Sequence, residues 1–399
     1  MLLTAAATVT AAPAVLRAQD ATGVTATEIR IGNTMPYTGP AAAFGTIGKA
    51  DAAAFHMAND MGGFAGRKVN FISYNDHYSP STTVAQVRRL VEEDQVLCLF
   101  NTLGTPTNLA IAKYCNAQKV PQLFVSTGAD LWGAYKEHPW TIGWQPSYRT
   151  EAQVYAKYIQ QTKPDAKIGI LYQNDVFGQD YVKGVRDILK QRFDEMVTTA
   201  PYEVSDATVD SPLLRLQSSG TNVLLMAVTP KFAVEAIRKA AEINWKPMHL
   251  LSGVSASVGA VMLPAGVENG IDVISSGFLK DPTDPRWEND PGMKEWRAFM
   301  MKYYPEGDLK DASNVFAYGV SLTMIQVLKQ CGNDLSRDNI MKQAVNLRNF
   351  ECPVLLAGIR LNTSPTNYHP IRQIQLMRWT GKTWNLFGDV IGDASSESG

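Results

Sequence analysis

Short apolar strands alternate with stretches of helical length along most of this chain, and that alternation constrains its fold more than any other feature. Candidate strands are Lys68–Tyr74, Val96–Phe100, Gln122–Val125, Lys167–Tyr172, Asn222–Ala227, His249–Ser252 and Gly270–Ser275. Such alternation predicts parallel sheets with helices on both faces. In sheets of this kind, ligands bind beyond the carboxyl ends of the strands. The sequence therefore predicts an α/β fold with a site built from the loops after its strands.

The alternation is broken once, which predicts two lobes. One series runs from Glu28 to about Gly143, then Pro146 and Ser147 open a new helix and a second series that extends to about Ser275. A length of 399 residues fits two domains of ordinary size. Helices and short strands follow the second series, so we expect the chain to cross between the lobes several times.

The first residues are predicted to be a targeting segment and not a part of the fold. Leu2–Leu16 is apolar and rich in small residues, and Arg17 follows it. This pattern resembles the core and cleavage region of a secretory signal, although no basic segment precedes it. Residues 1–19 are therefore interpreted as a signal-peptide remnant, with a flexible tail as the alternative. The mature protein is expected to be exported.

Composition argues against several classes of partner and site. The formal net charge is −1, whereas proteins that bind nucleic acids or anionic membranes usually carry a basic field. The five histidines are scattered, so neither a metal site nor a cofactor is expected. No C-x-x-C occurs among Cys98, Cys115, Cys331 and Cys352. In an exported chain, a Cys331–Cys352 disulfide and a Cys98–Cys115 disulfide are both open possibilities, and the alternative is that Cys98 is a buried core residue.

Three loops that follow strands carry the candidate binding residues. In the first, a Pro/Thr/Gly turn after the opening strand leads to Phe44 at the start of a helix. In the second, Thr105 precedes Pro106 and is suited to cap a helix, with the cap alone as the structural alternative. The third loop contains Ser126, Gly128 and Asp130. Helix N-termini with small side chains bind anions readily, so the three loops are predicted to form one polar wall.

These loops resemble the leucine/isoleucine/valine-binding protein family, the type I periplasmic solute-binding proteins of ABC importers. The resemblance rests on Pro36–Pro40 with Phe44 and Gly45, on Gly104–Asn108, on Val120 and Pro121 leading to Ser126, and on Asp175–Gly178. It extends from about Glu28 to Asp389. It implies two Rossmann-like lobes, each a parallel sheet flanked by helices, joined by a multi-stranded hinge. It also implies lobe 1 over 27–146 and 277–356, and lobe 2 over 147–276 and 357–392.

The resemblance implies a ligand site in the cleft between the lobes. The implied ligand-binding residues of the first lobe are Phe44, Thr105, Ser126, Gly128, Ala129 and Asp130, and those of the second are Phe177, Thr229 and Val254. In the family's amino-acid binders, a hydroxyl and backbone N–H groups hold the ligand carboxylate, and an acidic residue of the second lobe holds the ammonium group. The matching segment here, Ser252–Ala256, contains no carboxylate.

This departure favours a carboxylate ligand without an ammonium group, because a buried cation without an anionic partner is costly. Phe44 and Phe177 would contact an apolar body, with Trp144, Phe278 and Tyr318 as further candidates. An aromatic or aliphatic acid is therefore expected. Asp130 leaves an alternative open, since a carboxylate facing the pocket would restore binding of a branched-chain-type amino acid.

The expected function is capture of a small molecule and its delivery to a membrane permease. The sequence contains no P-loop, nucleophile-elbow or H-E-x-x-H motif, and no G-x-G-x-x-G follows the first strand. No catalytic residues are therefore assigned. The resemblance implies a periplasmic monomer that closes around a small carboxylate and engages an ABC importer. The alternative is a free ligand-sensing receptor subunit for a signalling partner.

Overall fold

The first sheet is parallel and has the strand order β2-β1-β3-β4-β5. The computed structural model describes residues 22–392. Ile29 and Ile31 of the first strand are fully buried, as expected for a strand covered on both faces. The elements of this part are β1 (Glu28–Met35), α1 (Gly45–Asp60), β2 (Lys68–Asn75), α2 (Pro80–Arg88), β3 (Cys98–Phe100), α3 (Thr105–Ala117), β4 (Gln122–Val125) and β5 (Thr141–Gly143).

The second sheet has the order β12-β11-β10-β9-β8-β6-β7. Its first five strands in sequence are parallel, β11 pairs antiparallel with β10, and β12 pairs antiparallel with β11. Its strands and helices, together with three later helices, are α4 (Tyr148–Thr162), β6 (Ile168–Gln173), α5 (Val176–Leu189), α6 (Phe193–Met196), β7 (Val197–Tyr202), α7 (Asp210–Ser218), β8 (Val223–Ala227), α8 (Pro230–Glu242), β9 (Met248–Leu251), α9 (Leu263–Ala265), β10 (Ile274–Gly277), α10 (Pro291–Tyr303), α11 (Ala312–Cys331), α12 (Arg337–Ala344), β11 (Gln373–Trp379) and β12 (Trp384–Gly392). Within residues 22–392, no helix is long and apolar enough to cross a bilayer.

The chain passes between the lobes three times, after β5, after β10 and before β11. The helices α10, α11 and α12 bury their apolar side chains in the core of the first lobe, although they follow the second sheet in sequence. Ile359 and Ile371 lie in that same core. The chain therefore joins the second sheet at Gln373, whereas the sequence-based division begins the returning part of lobe 2 at residue 357.

The predicted architecture of two parallel-sheet α/β lobes is confirmed, and each predicted strand overlaps an observed one. Of the strands in the two alternating series, β5 and β7 were not predicted, and β11 and β12 were expected only as short strands without stated bounds. The strand β5 has only three residues, which is too short for an alternating pattern. The strand β7 contains Pro201 and lies at the edge of its sheet, where one side of the strand needs no hydrogen-bond donors. The predicted signal-peptide remnant, residues 1–19, lies outside the described residues.

Neither of the two possible disulfides forms, and the alternative that Cys98 is a buried core residue is confirmed. Cys98, Cys115, Cys331 and Cys352 are all buried free thiols. Burial raises the pKa of each thiol to about 12, so the thiols are protonated at neutral pH. The thiol of Cys352 lies 3.7 Å from the carbonyl oxygen of Gly319. The four cysteines therefore pack as small core residues.

A buried carboxyl group joins α1 to two other parts of the first lobe. Asp51 is fully buried, and its oxygens accept hydrogen bonds from Asn101 Nδ2 at 2.8 Å and Ser321 Oγ at 2.9 Å. Burial raises the pKa of Asp51 to about 8, and the two donors only partly offset that effect. The folded lobe therefore binds a proton at Asp51 that an unfolded chain, with an ordinary carboxyl group, releases near pH 4.

We expect Asp51→Asn to flatten the pH dependence of stability between about pH 4 and pH 8. The folded state holds the extra proton across this range, so the contribution of Asp51 to stability decreases as the pH rises to about 8. Asparagine keeps the shape and has no proton to lose. Thermal unfolding of both proteins at several pH values tests this, and parallel curves would contradict it. The exposed Asp60→Asn variant is the control.

Candidate functional site

A cavity lies between the two lobes, at the carboxyl ends of their parallel strands. The volume that is accessible to the centre of a water molecule is about 120 Å³. Its wall combines aromatic and aliphatic side chains with a few hydroxyl and amide groups. The lining residues are Phe44, Ile47, Tyr78, Leu103, Gly104, Thr105, Ser126, Gln145, Tyr148, Phe177, Thr229, Gly253, Val254, Ser257, Phe278, Leu279, Ala312, Ser313 and Phe316.

The turn between β3 and α3 forms the polar part of the first-lobe wall. Gly104 is the N-cap of α3 and has a φ of +98°, a conformation that side chains with a Cβ rarely adopt. A Cβ at Gly104 would lie 2.5 Å from Cε2 of Tyr78, so glycine also lets that ring pack against the turn. Thr105 begins the helix and is not its cap, which corrects the sequence interpretation. Its hydroxyl lies 2.6 Å from the hydroxyl of Thr127.

A helix cap sets the position of Phe177 in the second-lobe wall. Asp175 is the N-cap of α5, and its Oδ1 accepts hydrogen bonds from the backbone N–H of Phe177 at 2.9 Å and of Gly178 at 3.4 Å. Burial raises the pKa of Asp175 to about 6. The Phe177 ring then meets Tyr148 edge to face, with 4.8 Å between the ring centroids. The cap at Asp175 therefore places one of the aromatic rings of the wall.

Most of the residues predicted from the sequence meet in this one cavity. Those that line it are Phe44, Thr105, Ser126, Phe177, Thr229 and Val254. Thr229 precedes α8 as its N-cap, and Val254 lies in a tight helical turn directly after β9. Each of these residues follows the carboxyl end of a parallel strand, and for this reason loops from distant parts of the sequence come together.

Of the third predicted loop, only Ser126 lines the cavity. The structure places Gly128, Ala129 and Asp130 outside the lining, which corrects their assignment as ligand-binding residues. The carboxylate of Asp130 accepts a hydrogen bond from Ser147 Oγ at 2.7 Å and lies 3.6 Å from Arg149. The backbone N–H of Asp130 donates to Asp180 Oδ2 at 2.8 Å. The carbonyl of Gly128 accepts from the N–H of Tyr148, and the N–H of Ala129 donates to Thr127. These groups join the first lobe to the start of α4 and to α5.

Several lining residues were not predicted. Tyr78 follows β2, so the expectation that ligand-binding residues lie after the carboxyl ends of parallel strands could have identified it. Its hydroxyl accepts a hydrogen bond from Gln173 Nε2 of the second lobe at 3.4 Å. Gln145 lies in the first crossing between the lobes, and Phe316 lies on α11, far along the sequence. No local pattern marks Phe316, because only the return of the chain to the first lobe brings it to the cavity.

The further aromatic candidates have separate positions. Phe278 lines the cavity, whereas Trp144 packs behind it in the core, with its ring edge to face with both Phe278 and Phe316. Tyr318 packs against Phe299 in the first lobe, with the two rings tilted at 35° to each other. Trp144 thus supports Phe278 and Phe316 from behind and does not line the cavity itself.

Acidic and basic side chains lie behind the cavity wall and not in it. Within residues 22–392, no Asp, Glu, Lys, Arg or His lines the cavity. The buried Glu151 accepts hydrogen bonds from the backbone N–H of Gly253 at 2.8 Å, from Tyr155 at 2.6 Å and from Tyr181 at 2.5 Å. Burial raises its pKa. Glu151 therefore holds the Gly253 backbone in place, with its own acceptors occupied.

Several helices begin at the cavity. Among the residues that the structure describes, five helices have their N-cap or first residue in the cavity lining: Phe44 precedes α1, Thr105 begins α3, Tyr148 begins α4, Thr229 precedes α8 and Ala312 begins α11. Helix N-termini carry partial positive charge and N–H groups without intrahelical acceptors. The cavity therefore suits an anionic or electronegative group better than a cation. No cluster of His, Cys, Asp or Glu that could hold a metal ion occurs in the described part of the chain.

Solved structures with the same fold cover nearly the whole chain. One is a branched chain amino acid ABC transporter protein from Thermus thermophilus with bound valine, with a TM-score of 0.83 at 13% identity, covering 94% of this chain and 100% of that one. Another is a fatty acid ABC transporter substrate-binding protein from Thermomonospora curvata, with a TM-score of 0.79 at 18% identity, covering 96% of each chain.

Sequence comparison assigns the family. A "Leu/Ile/Val-binding protein homolog 7" from Brucella suis biovar 1 (strain 1330) is 23% identical over 384 residues, which are 91% of this chain and 92% of the relative. The profile of the family described as "Periplasmic binding protein" matches residues 28–383. The chain therefore belongs to the periplasmic binding protein family, whose members bind substrates and are not enzymes.

Proposed function

We propose that this protein is the extracytoplasmic solute-binding component of an ABC importer and captures a small carboxylate with an aromatic or aliphatic body. It acts in the periplasm as a monomer, closes its lobes around the ligand and delivers the ligand to a membrane permease. The observation that carries the proposal is a largely apolar cavity that no Asp, Glu, Lys, Arg or His side chain lines within residues 22–392, and at which several helices begin. Such a cavity suits one anionic group on an apolar body.

The carboxylate would bind at the start of α3. The N–H of Ala129 donates to Thr127 Oγ1 at 3.2 Å, and Thr127 Oγ1 lies 2.6 Å from Thr105 Oγ1. If Thr127 directs its proton to Thr105, then the proton of Thr105 points to the ligand. Backbone N–H groups in the first turn of α3 and the hydroxyl of Ser126 add donors to the same region.

The apolar body of the ligand would lie among the aromatic rings. Phe44 comes from the first lobe, Tyr148 and Phe177 come from the second, and Phe278 lies where the chain crosses between them. Burial of an apolar body gives about 25 cal/mol per Å² of apolar surface removed from water. Because both lobes supply this wall, a bound body stabilises the closed arrangement more than the open one.

An α-amino acid is the less favoured ligand. An ammonium group would have no carboxylate partner in the cavity wall, and desolvation of an unpaired charge is costly. The relatives named above support the carboxylate class in general, since one is described with valine and the other as a fatty acid binder. The wall chemistry of this chain supports the acid without the ammonium group.

We expect the protein to bind 4-methylpentanoate at least about tenfold more tightly than leucine, which differs from it only by the α-ammonium group. Isothermal titration with both compounds measures the difference in affinity. Titrations with benzoate and phenylacetate test whether aromatic acids also bind. Tighter binding of leucine would contradict the exclusion of ammonium. No heat with any of the four would contradict the carboxylate class.

We expect Thr105→Val to weaken binding of the same acids by about 1–3 kcal/mol, because it removes a buried hydrogen-bond donor and retains the shape of the side chain. Thr105→Ser keeps the hydroxyl and is the matched control, with nearly unchanged affinity. Circular dichroism and the unfolding temperature establish that both variants fold. Equal affinities of all three proteins would show that Thr105 does not contact the ligand.

A further inference from the structure

Two loops from different lobes meet beside the cavity. The first follows β9 and contains Ser257 and Gly259, and its neighbours Ala256 and Val258 pack in the second-lobe core. The second is the segment 308–311, which precedes α11 of the first lobe. Ser257 lines the cavity together with the first two residues of α11. Contacts between these loops are therefore contacts between the lobes.

Hydrogen bonds made by the protein alone hold the two loops together. Ser257 Oγ donates to Asp311 Oδ1 at 2.8 Å and accepts from the N–H of Ala312 at 3.2 Å. The N–H of Gly259 donates to the carbonyl oxygen of Lys310 at 2.9 Å. Ser257 and Asp311 are 6% and 7% exposed, so water competes little for the bond between them. None of these bonds needs a ligand atom.

The absence of a side chain at Gly259 lets the two segments come this close, since a Cβ would require the Asp308 carboxylate to rotate and the backbone at Lys310 and Asp311 to move by a few tenths of an ångström. A Cβ there would lie 2.5 Å from Asp308 Oδ2, 3.0 Å from the carbonyl carbon of Lys310 and 3.1 Å from the nitrogen of Asp311. Two of the three atoms belong to the backbone and cannot rotate away. The φ of Gly259 lies outside the left-handed region, so alanine is compatible with its own backbone. All three conflicting atoms belong to the other lobe.

We propose that Ser257 and Gly259, with segment 308–311, form a latch that holds the lobes closed, and that Gly259 is a positioning residue for closure. A side chain at position 259 would act as a wedge in the closed protein and meet nothing of the first lobe once the lobes separate. The proposal rests on the proposed hinge closure but not on the identity of the ligand. Ligand contacts and the latch then both stabilise the closed arrangement of the lobes relative to the open one.

Small-angle scattering of the ligand-free protein tests the latch directly. We expect Gly259→Ala to have a larger radius of gyration than the wild type, with an unchanged unfolding temperature and circular dichroism spectrum. Lys310→Ala is the matched control, because it removes an exposed side chain from the same loop and leaves the accepting carbonyl group. A second arm measures binding of 4-methylpentanoate, which we expect Gly259→Ala to weaken about tenfold.

The first arm decides the outcome. Equal radii of gyration without ligand overturn the latch, and an affinity loss alone would assign Gly259 to the ligand site. A larger radius with no binding of 4-methylpentanoate by the wild type supports the latch and rejects the proposed ligand instead. If Gly259→Ala lowers the unfolding temperature, Ser257→Ala decides, since it breaks two of the bonds without adding volume. An unchanged radius in that variant would then overturn the latch.

Discussion

Both parallel sheets turn the carboxyl ends of their strands toward the same cleft, and the site depends on this constraint. Tyr78, Gly104 and Ser126 follow β2, β3 and β4, whereas Phe177 and Thr229 follow β6 and β8. Parallel strands require helical crossovers, and the crossovers leave only the loops at the strand ends free to vary. The same geometry brings helix N-termini to the cleft. The parallel direction of the strands therefore places at the cleft both the loops that shape the cavity and the helix N-termini with their partial positive charge.

Acidic groups in this protein organise the wall from behind. Glu151 fixes the Gly253 backbone, Asp175 caps the helix that carries Phe177, and Asp311 caps α11 while it joins the lobes through Ser257. Burial raises the pKa of all three carboxyl groups. Their oxygens accept hydrogen bonds from groups of the protein, so the three carboxyl groups position parts of the wall without lining the cavity themselves. Within residues 22–392, no acidic or basic side chain lines the cavity between the helix N-termini.

The sequence predicted the parts of the fold that depend on local chemistry. Strands such as Gln122–Val125 were located because short apolar runs between turn residues have few other solutions, and Asp175 was recognisable at the start of a helix. The strand β5 and the proline-containing edge strand β7 lack such a pattern. Asp130 shows a different limit. It lies in a loop after a strand, as a ligand-binding residue would, but its carboxylate pairs with Ser147 and Arg149 at the lobe crossing.

By itself, the sequence determined an α/β chain in two lobes and the strand ends from which a site would be built, because periodicity and turn chemistry act over a few residues. Only the tertiary structure decided which loops face each other. Phe316 and Ser313 reach the cavity because the chain returns to the first lobe, and Gly259 meets segment 308–311 because the lobes approach at that edge. Those contacts depend on the relative position of two cores formed from distant parts of the chain, and no local pattern encodes that position.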